Sequence, residues 1–331
     1  MNSTTQPGEI WRDTDGTPIQ AHGGGILRAT DGTYFWYGEN KNASNVPGTE
    51  RVDIIGISCY ASRDLVNWEN RGVVLPSVPD DDSHDLFPAN VLERPKVVRV
   101  ASGEYVLWAH VDSPDYKKAS LGVAVSANPD GPFRYLYSFR PEGLDSRDMT
   151  VFQEDDGSAY VFFSSQGVLP QEKQWSKDTK RHTFINTTLR IARLTPDCRM
   201  VDGPTVTAFP GEMREAPAVW KWGGRYYMIT SGCTGWRPNP ACWHVADHPL
   251  GPWQTMGDPV VGTEEQKATT FDTQSTFVLP DSSGDPNRFI FCADRWNPKH
   301  LQDSRYVWLP LVMQSNGVPQ IEWQREWAPV S

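Results

Sequence analysis

One local pattern recurs five times along the chain, and it limits the possible folds more sharply than any other feature. A turn residue is followed, within three positions, by an aromatic side chain that opens an apolar run. The copies begin Asp31-Gly32-Thr33-Tyr34-Phe35, Ser102-Gly103-Glu104-Tyr105-Val106, Asp156-Gly157-Ser158-Ala159-Tyr160, Gly223-Gly224-Arg225-Tyr226-Tyr227 and Pro286-Asn287-Arg288-Phe289-Ile290. Each reads as a hairpin turn entering a strand. The turn positions Gly32, Gly103, Gly157, Gly224 and Asn287 lie roughly 54 to 71 residues apart, the length of one four-stranded sheet with its loops.

A second element precedes each turn by about ten residues. It starts polar and ends apolar: His22-Gly23-Gly24-Gly25-Ile26, Glu93-Arg94-Pro95-Lys96-Val97, Asp148-Met149-Thr150-Val151, Glu215-Ala216-Pro217-Ala218-Val219 and Gln274-Ser275-Thr276-Phe277-Val278. Three copies are followed by a further strand-and-turn signature, at 61–68, 126–133 and 246–253, which reads as the connection between third and fourth strands. With 14 Trp, 11 Tyr, 13 Phe, 27 Gly and 27 Pro, the composition suits short aromatic strands and leaves little room for long helices. The fold expected is therefore all-β, a five-bladed β-propeller with an axial pocket, occupying residues 1–331 as one catalytic domain. Residues 306–311 and 320–323 are expected to complete the last blade. The polar insertions at 40–50 and 166–182 are expected on the rim that faces ligand.

The formal charge of −10 comes without any Lys/Arg stripe, which argues against a nucleic-acid partner. No apolar run approaches the ~18 residues of a membrane span. Cys59, Cys198, Cys233, Cys242 and Cys292 are an odd number, spread widely, with no metal-binding spacing. Cys233 and Cys242 are near enough in sequence to pair, and ordinary buried thiols are the alternative. The polar residues 1–6 fit either a secreted or periplasmic protein whose leader has been removed or one that acts inside the cell. A monomer is expected.

If the five elements are equivalent, His22, Glu93, Asp148, Glu215 and Gln274 converge on one axial pocket. Each of them alone is open to a simpler account, as a loop cap or a partner of Arg94, Arg147 or Arg214. Acids repeated at one place in successive blades, however, crowd like charges together, an arrangement typical of functional sites. Glycoside hydrolysis needs a protonated carboxyl beside the leaving oxygen and a second group acting on water or the sugar. Sugar faces also need aromatic platforms, and Trp36, Trp108, Tyr116, Trp236 and Trp296 lie near strand ends. Blade packing is the better account of Trp108 and Trp36. Trp236, in the loop Thr234-Gly235-Trp236-Arg237-Pro238-Asn239, is open to either role. No spacing requires a cofactor. His22, His110 and His300 are candidates for holding a structural axial ion or water, with a hydrogen-bonded structural role as the alternative.

Several segments together resemble glycoside hydrolase family 43, in particular its branch of exo-β-1,3-galactanases and related galactofuranosidases. They are Asp13-Thr14-Asp15-Gly16, Ile19-Gln20-Ala21-His22-Gly23-Gly24-Gly25, Glu93-Arg94-Pro95-Lys96, Ser146-Arg147-Asp148-Met149-Thr150, Arg214-Glu215-Ala216-Pro217, Asp272-Thr273-Gln274-Ser275-Thr276 and Ser304-Arg305-Tyr306-Val307-Trp308. The resemblance runs over nearly the whole chain. It implies a propeller glycosidase with Glu215 as general acid and Asp148 as the group that tunes the acid and orients substrate. The first blade departs from the general pattern, because Ala21-His22-Gly23-Gly24-Gly25 carries no carboxylate to act as base. In the galactanase branch a fifth-blade Gln takes the base's place and a second-blade Glu binds sugar hydroxyls, positions that Gln274 and Glu93 match. Glu93, His22, Tyr116, Thr234, Trp236 and Arg305 are the residues expected to contact substrate. The activity implied is exo-cleavage of β-1,3-galactan with inversion, with a β-D-galactofuranosidase or α-L-arabinofuranosidase as the enzymatic alternative and a non-catalytic sugar-binding propeller as the other. Inversion predicts about 6.5–9.5 Å between Glu215 and Gln274, room for a water.

Overall fold

The propeller follows from strands that are largely apolar and buried along their whole length. In β2 (Tyr34–Glu39), β3 (Gly56–Ser62), β6 (Tyr105–Asp112), β7 (Ser120–Ser126) and β10 (Ala159–Ser165) every residue is buried. A strand of this kind needs cover on both faces, and packing sheets face to face around an axis supplies it. The computed structural model, which describes residues 2–166 and 188–329, has that arrangement.

Among the described residues there are five sheets, and each blade runs outward in chain order. Blade 1 is β1 (His22–Arg28), β2, β3 and β4 (Glu69–Pro76). Blade 2 is β5 (Val91–Arg99), β6, β7 and β8 (Arg134–Phe139). Blade 3 is β9 (Met149–Gln153), β10, β11 (Thr188–Arg193) and β12 (Val206–Ala208). Blade 4 is β13 (Arg214–Trp222), β14 (Arg225–Gly232), β15 (Cys242–Ala246) and β16 (Gln254–Gly257). Blade 5 is β18 (Gln274–Pro280), β19 (Arg288–Arg295), β20 (Arg305–Met313) and β21 (Pro319–Glu322), with β17 (Val260–Val261) added in parallel to β21. The helix α1 (Glu264–Thr269), closed by a Thr263 capping box, leads from β17 towards β18.

Each pair of neighbouring blades encloses its own apolar cluster. Tyr37 and Leu107 sit between blades 1 and 2, Trp108 and Phe163 between 2 and 3, Phe162 and Met228 between 3 and 4, Ile229 and Phe291 between 4 and 5, and Trp36 and Trp308 between 5 and 1. The last interface closes the ring. There Trp11 from the N-terminal segment packs on Trp36, Tyr306 and Trp308, with centroids 5.1–6.3 Å apart, and Thr5 exchanges two backbone hydrogen bonds with Trp327.

The four hairpin glycines Gly32, Gly103, Gly157 and Gly224 have φ between 79° and 91°, the left-handed conformation their turns require. The segments at 61–68, 126–133 and 246–253 each connect a third strand to a fourth, and β20 and β21 complete blade 5 as the sequence predicts. The 40–50 insertion joins β2 to β3. The 166–182 insertion lies, beyond Gln166, outside the described residues. All five cysteines are free thiols, so Cys233 and Cys242 do not pair. Among the described residues no helix is long and apolar enough to cross a membrane.

Candidate active site

The innermost strands β1, β5, β9, β13 and β18 adjoin one another in a closed ring around the axis. Four of them break register just behind their leading polar residue, between His22 and Gly25, Glu93 and Lys96, Glu215 and Ala218, and Ser275 and Phe277. A bulge here re-aims the side chain beside it. In three blades the bulge uses a left-handed residue: Gly23 (φ 60°), Arg94 (57°) and Ala216 (53°). For Arg94 and Ala216 that conformation costs about 1–3 kcal/mol, strain of a kind concentrated at functional sites.

The glycines of blade 1 have a steric reason. A Cβ on Gly23 would collide with Oε1 of Glu39, and one on Gly25 would lie 2.5 Å from Cδ of Lys96. Where its innermost strand carries no carboxylate, blade 1 makes room for two charged side chains from other strands. Glu39 comes from β2 and accepts a hydrogen bond from the Arg94 backbone N–H at 2.9 Å. Lys96 comes from β5, is buried, and donates to the carbonyl of Gly23 at 2.9 Å.

Glu39 belongs to a second polar ring, of which the sequence singles out only His110. Glu39, His110, Ser231 and Asp294 are the cross-strand partners of His22, Glu93, Glu215 and Gln274, and Ser164 donates its N–H to the Asp148 carbonyl. A signal for them exists: each stands five residues after Tyr34, Tyr105, Ala159, Tyr226 or Phe289, at the end of the turn-linked apolar run.

The two rings meet in one hydrogen-bonded array. Gln274 Nε2 donates to Glu215 Oε1 at 3.3 Å and to Ser231 Oγ at 3.1 Å, while its Oε1 accepts from Arg94 Nη2 at 2.5 Å and Trp296 Nε1 at 3.1 Å. The same Arg94 nitrogen lies 2.9 Å from Asp148 Oδ2, so Asp148 pairs across blades with Arg94 rather than with its neighbour Arg147. The predicted gap of about 6.5–9.5 Å between Glu215 and Gln274 is therefore corrected to direct contact. A neutral amide donates to a carboxyl oxygen where a second carboxylate would be repelled. Cys233, at the end of β14, places its thiol within hydrogen-bonding reach of Glu215, and burial pushes that thiol's pKa up.

Glu93 anchors the other side of the pocket. Tyr116 donates its hydroxyl to Glu93 Oε1 at 3.2 Å, Lys41 Nζ lies 4.0 Å away and 2.7 Å from Glu39, and His110 Nδ1 stands 3.3 Å from Glu93 Oε2, off the best hydrogen-bond direction. The other ring nitrogen of His110 is 3.0 Å from Asp112 Oδ2. Burial would lower the pKa of His110, but its contacts with Asp112 and Glu93 outweigh burial and raise it to about 9. Burial likewise acts to raise Glu93, yet His110, Lys41 and Arg94 hold it down at about 2. Lys96, penalised by burial and by the Arg94 charge, drops to about 7.

These shifts predict a pH signature. The raised His110 pKa contributes stability that is complete below about pH 6.5 and lost as pH rises through about 9; the depressed Glu93 pKa contributes stability present above about pH 4.5 and lost as pH falls towards 2. The network is thus strongest between about pH 4.5 and 6.5. Calorimetry of the wild type against His110→Gln should show a stability gap of roughly 3 kcal/mol near pH 6 that narrows by pH 10. A gap independent of pH would mean that His110 is neutral in the folded protein.

Glu93, His110 and Asp148 also offer metal-type donors within 4.8 Å of one another. Each of them also faces another charged or titratable group: His110 lies between Glu93 and Asp112, Asp148 pairs with Arg94, and Lys41 approaches Glu93.

The remaining predicted residues divide. His22 is buried between Asp294, at 3.4 Å, and Tyr306, whose ring stacks on it at 4.7 Å. Trp296 packs against His22 at 5.6 Å and against Trp236 at 4.9 Å, which puts a partly exposed aromatic pair beside Gln274. Thr234 is tied into its loop by Asn239 and Arg237, and Arg305 turns its guanidinium to Asp303. His300 is exposed. Trp36 and Trp108 are core residues.

Carboxyl groups converging on one axial pocket are what glycoside hydrolysis requires. The sequence matches Glycosyl hydrolases family 43 over residues 21–310, and the chain belongs to that family. A solved family 43 β-1,3-galactosidase in complex with galactodeoxynojirimycin is 37% identical, with a TM-score of 0.84 over 98% of this chain and 100% of that one. The exo-β-1,3-galactanase of Phanerochaete chrysosporium, solved with galactose, is 35% identical, with a TM-score of 0.83 over 98% of this chain and 68% of that one. Among curated proteins, a β-xylosidase of Xylanibacter ruminicola is 34% identical over 167 residues, which are 43% of this chain and 50% of that protein. The match to this curated relative thus spans half its length.

Proposed function

We propose that the chain is an exo-acting β-1,3-galactosidase that removes galactose from the non-reducing end of β-1,3-galactan, with the single propeller as the working monomer. The observation that carries this reading is the Glu215–Gln274–Arg94–Asp148 array: one acid of the reacting pair faces an amide where most two-carboxyl glycosidases place a second acid. The whole-length similarity to a β-1,3-galactosidase supports the substrate.

In this reading Glu215 protonates the glycosidic oxygen as the bond to the anomeric carbon breaks. Asp148, fixed by Arg94, orients the sugar. Glu93 is ionised and accepts hydrogen bonds from sugar hydroxyls, with Tyr116 closing the same side. Trp296 and Trp236 offer the apolar face. Because Glu215 and Gln274 touch, a sugar that reacts between them must open their hydrogen bond; water then adds to the anomeric carbon on the Gln274 face as the leaving oxygen departs, and the proton it loses passes to solvent, from which the Glu215 carboxyl is restored.

The test is hydrolysis of β-1,3-galactobiose beside nitrophenyl β-D-galactofuranoside and α-L-arabinofuranoside. Galactose is expected from the first. Cleavage of a furanoside with the galactobiose left intact would replace this reading with the furanosidase one, and binding without any product would make the chain a lectin-like propeller.

A further inference from the structure

We propose that Arg94 and Trp296 are positioning residues that fix the sense of the Gln274 amide, so that its N–H face and not its carbonyl oxygen meets the reacting pocket. The inference rests on Glu215 and Gln274 being the reacting pair. Both groups on one side of the amide, the Arg94 guanidinium and the Trp296 indole N–H, can only donate hydrogen bonds. Both partners on the other side, the Glu215 carboxyl oxygen and the Ser231 hydroxyl, can accept. Turning the amide over would set its NH2 group against two donors and its carbonyl oxygen against a carboxyl oxygen. Glu215 and Ser231 could then turn their own O–H groups to that oxygen, but Arg94 and Trp296 cannot accept, so the buried polar atoms on their side would be left unpaired at a cost of about 1–3 kcal/mol for each.

The clamp is itself held. Arg94 is buried and sits in a left-handed bulge; its other terminal nitrogen donates to the Ser275 carbonyl at 2.9 Å, its backbone N–H is taken by Glu39, and its carbonyl is approached by Lys96 Nζ at 3.4 Å. A guanidinium reaches Asp148 and Gln274 at once because its donors are set in a planar fork, which an ammonium group lacks. Gln274 therefore acts on the pocket as a hydrogen-bond donor with a fixed direction, and two donors on its oxygen draw electron density from the amide.

The experiment is a double-mutant cycle between Trp296→Phe and Gln274→Ala. Phe keeps an aromatic ring, smaller than the indole, against His22 and Trp236 and removes the N–H, and the cycle cancels any loss of ring contact that acts independently of Gln274. Trp296→Phe is expected to lower kcat about tenfold in the wild-type background, with KM changed by less than about threefold, and to have no further effect in Gln274→Ala. Gln274→Ala retains Glu215, so its turnover is measurable on an activated aryl glycoside. Arg94→Lys should lower kcat on the order of a hundredfold at nearly constant KM. The proposal is overturned if Trp296→Phe has no effect on kcat, or the same effect with and without Gln274. The cycle can be run on any glycoside that the wild type cleaves, so a wrong substrate assignment and a wrong role for the clamp would be seen separately.

Discussion

Glu215→Gln is expected to lower kcat by about 10²–10⁴-fold on an unactivated galactoside while leaving sugar binding within a few-fold of wild type. The substitution keeps the size of the side chain and its ability to accept from Gln274 Nε2, so the buried array around it persists. What it removes is the proton for the departing oxygen. The size of the loss should therefore depend on the leaving group. With a dinitrophenyl glycoside, whose leaving group needs no protonation, most of the loss should vanish. An equal loss on both substrates would show that Glu215 holds the site together and does not act as the acid.

The second large effect is expected at Glu93. Glu93→Gln takes away the anion that faces His110, Lys41 and Arg94, leaving three cationic groups with less compensation in a poorly solvated pocket. Removing one partner from such a buried set costs about 3–5 kcal/mol, which a urea or calorimetric unfolding experiment would register directly. The same variant should raise KM about 10- to 100-fold, because a hydrogen bond between a sugar hydroxyl and an ionised carboxylate exceeds one to an amide. A stability loss without any change in KM would confine Glu93 to the charge network and take it out of the substrate site.

The parts of the molecule that were legible in the sequence are those whose cause is local. A turn residue, a left-handed glycine in four copies and Asn287 in the fifth, stands within a few residues of the aromatic that opens a strand, so Gly32-Thr33-Tyr34 and its four counterparts announce five hairpins. The leading residues His22, Glu93, Asp148, Glu215 and Gln274 were legible for the same reason. The second ring, His110 apart, was not. A single polar residue such as Glu39 or Asp294 at the end of an apolar run reads as an ordinary strand terminus until cross-strand register puts it opposite His22 or Gln274. The partner of Asp148 was equally hidden, since Arg94 comes from another blade while Arg147 is its neighbour in sequence. The spacing of Glu215 and Gln274 was misjudged because the expectation came from pairs of carboxylates. An amide and a carboxyl group attract, and the bulges behind Glu215 and Gln274 bring them into contact.

The most direct test of the account follows β-1,3-galactotriose labelled at its reducing end. An exo-acting β-1,3-galactosidase predicts free unlabelled galactose together with labelled galactobiose, and then labelled galactose, in that order. Labelled galactose appearing first, or an untouched trisaccharide alongside a hydrolysed galactofuranoside or arabinofuranoside, would contradict it.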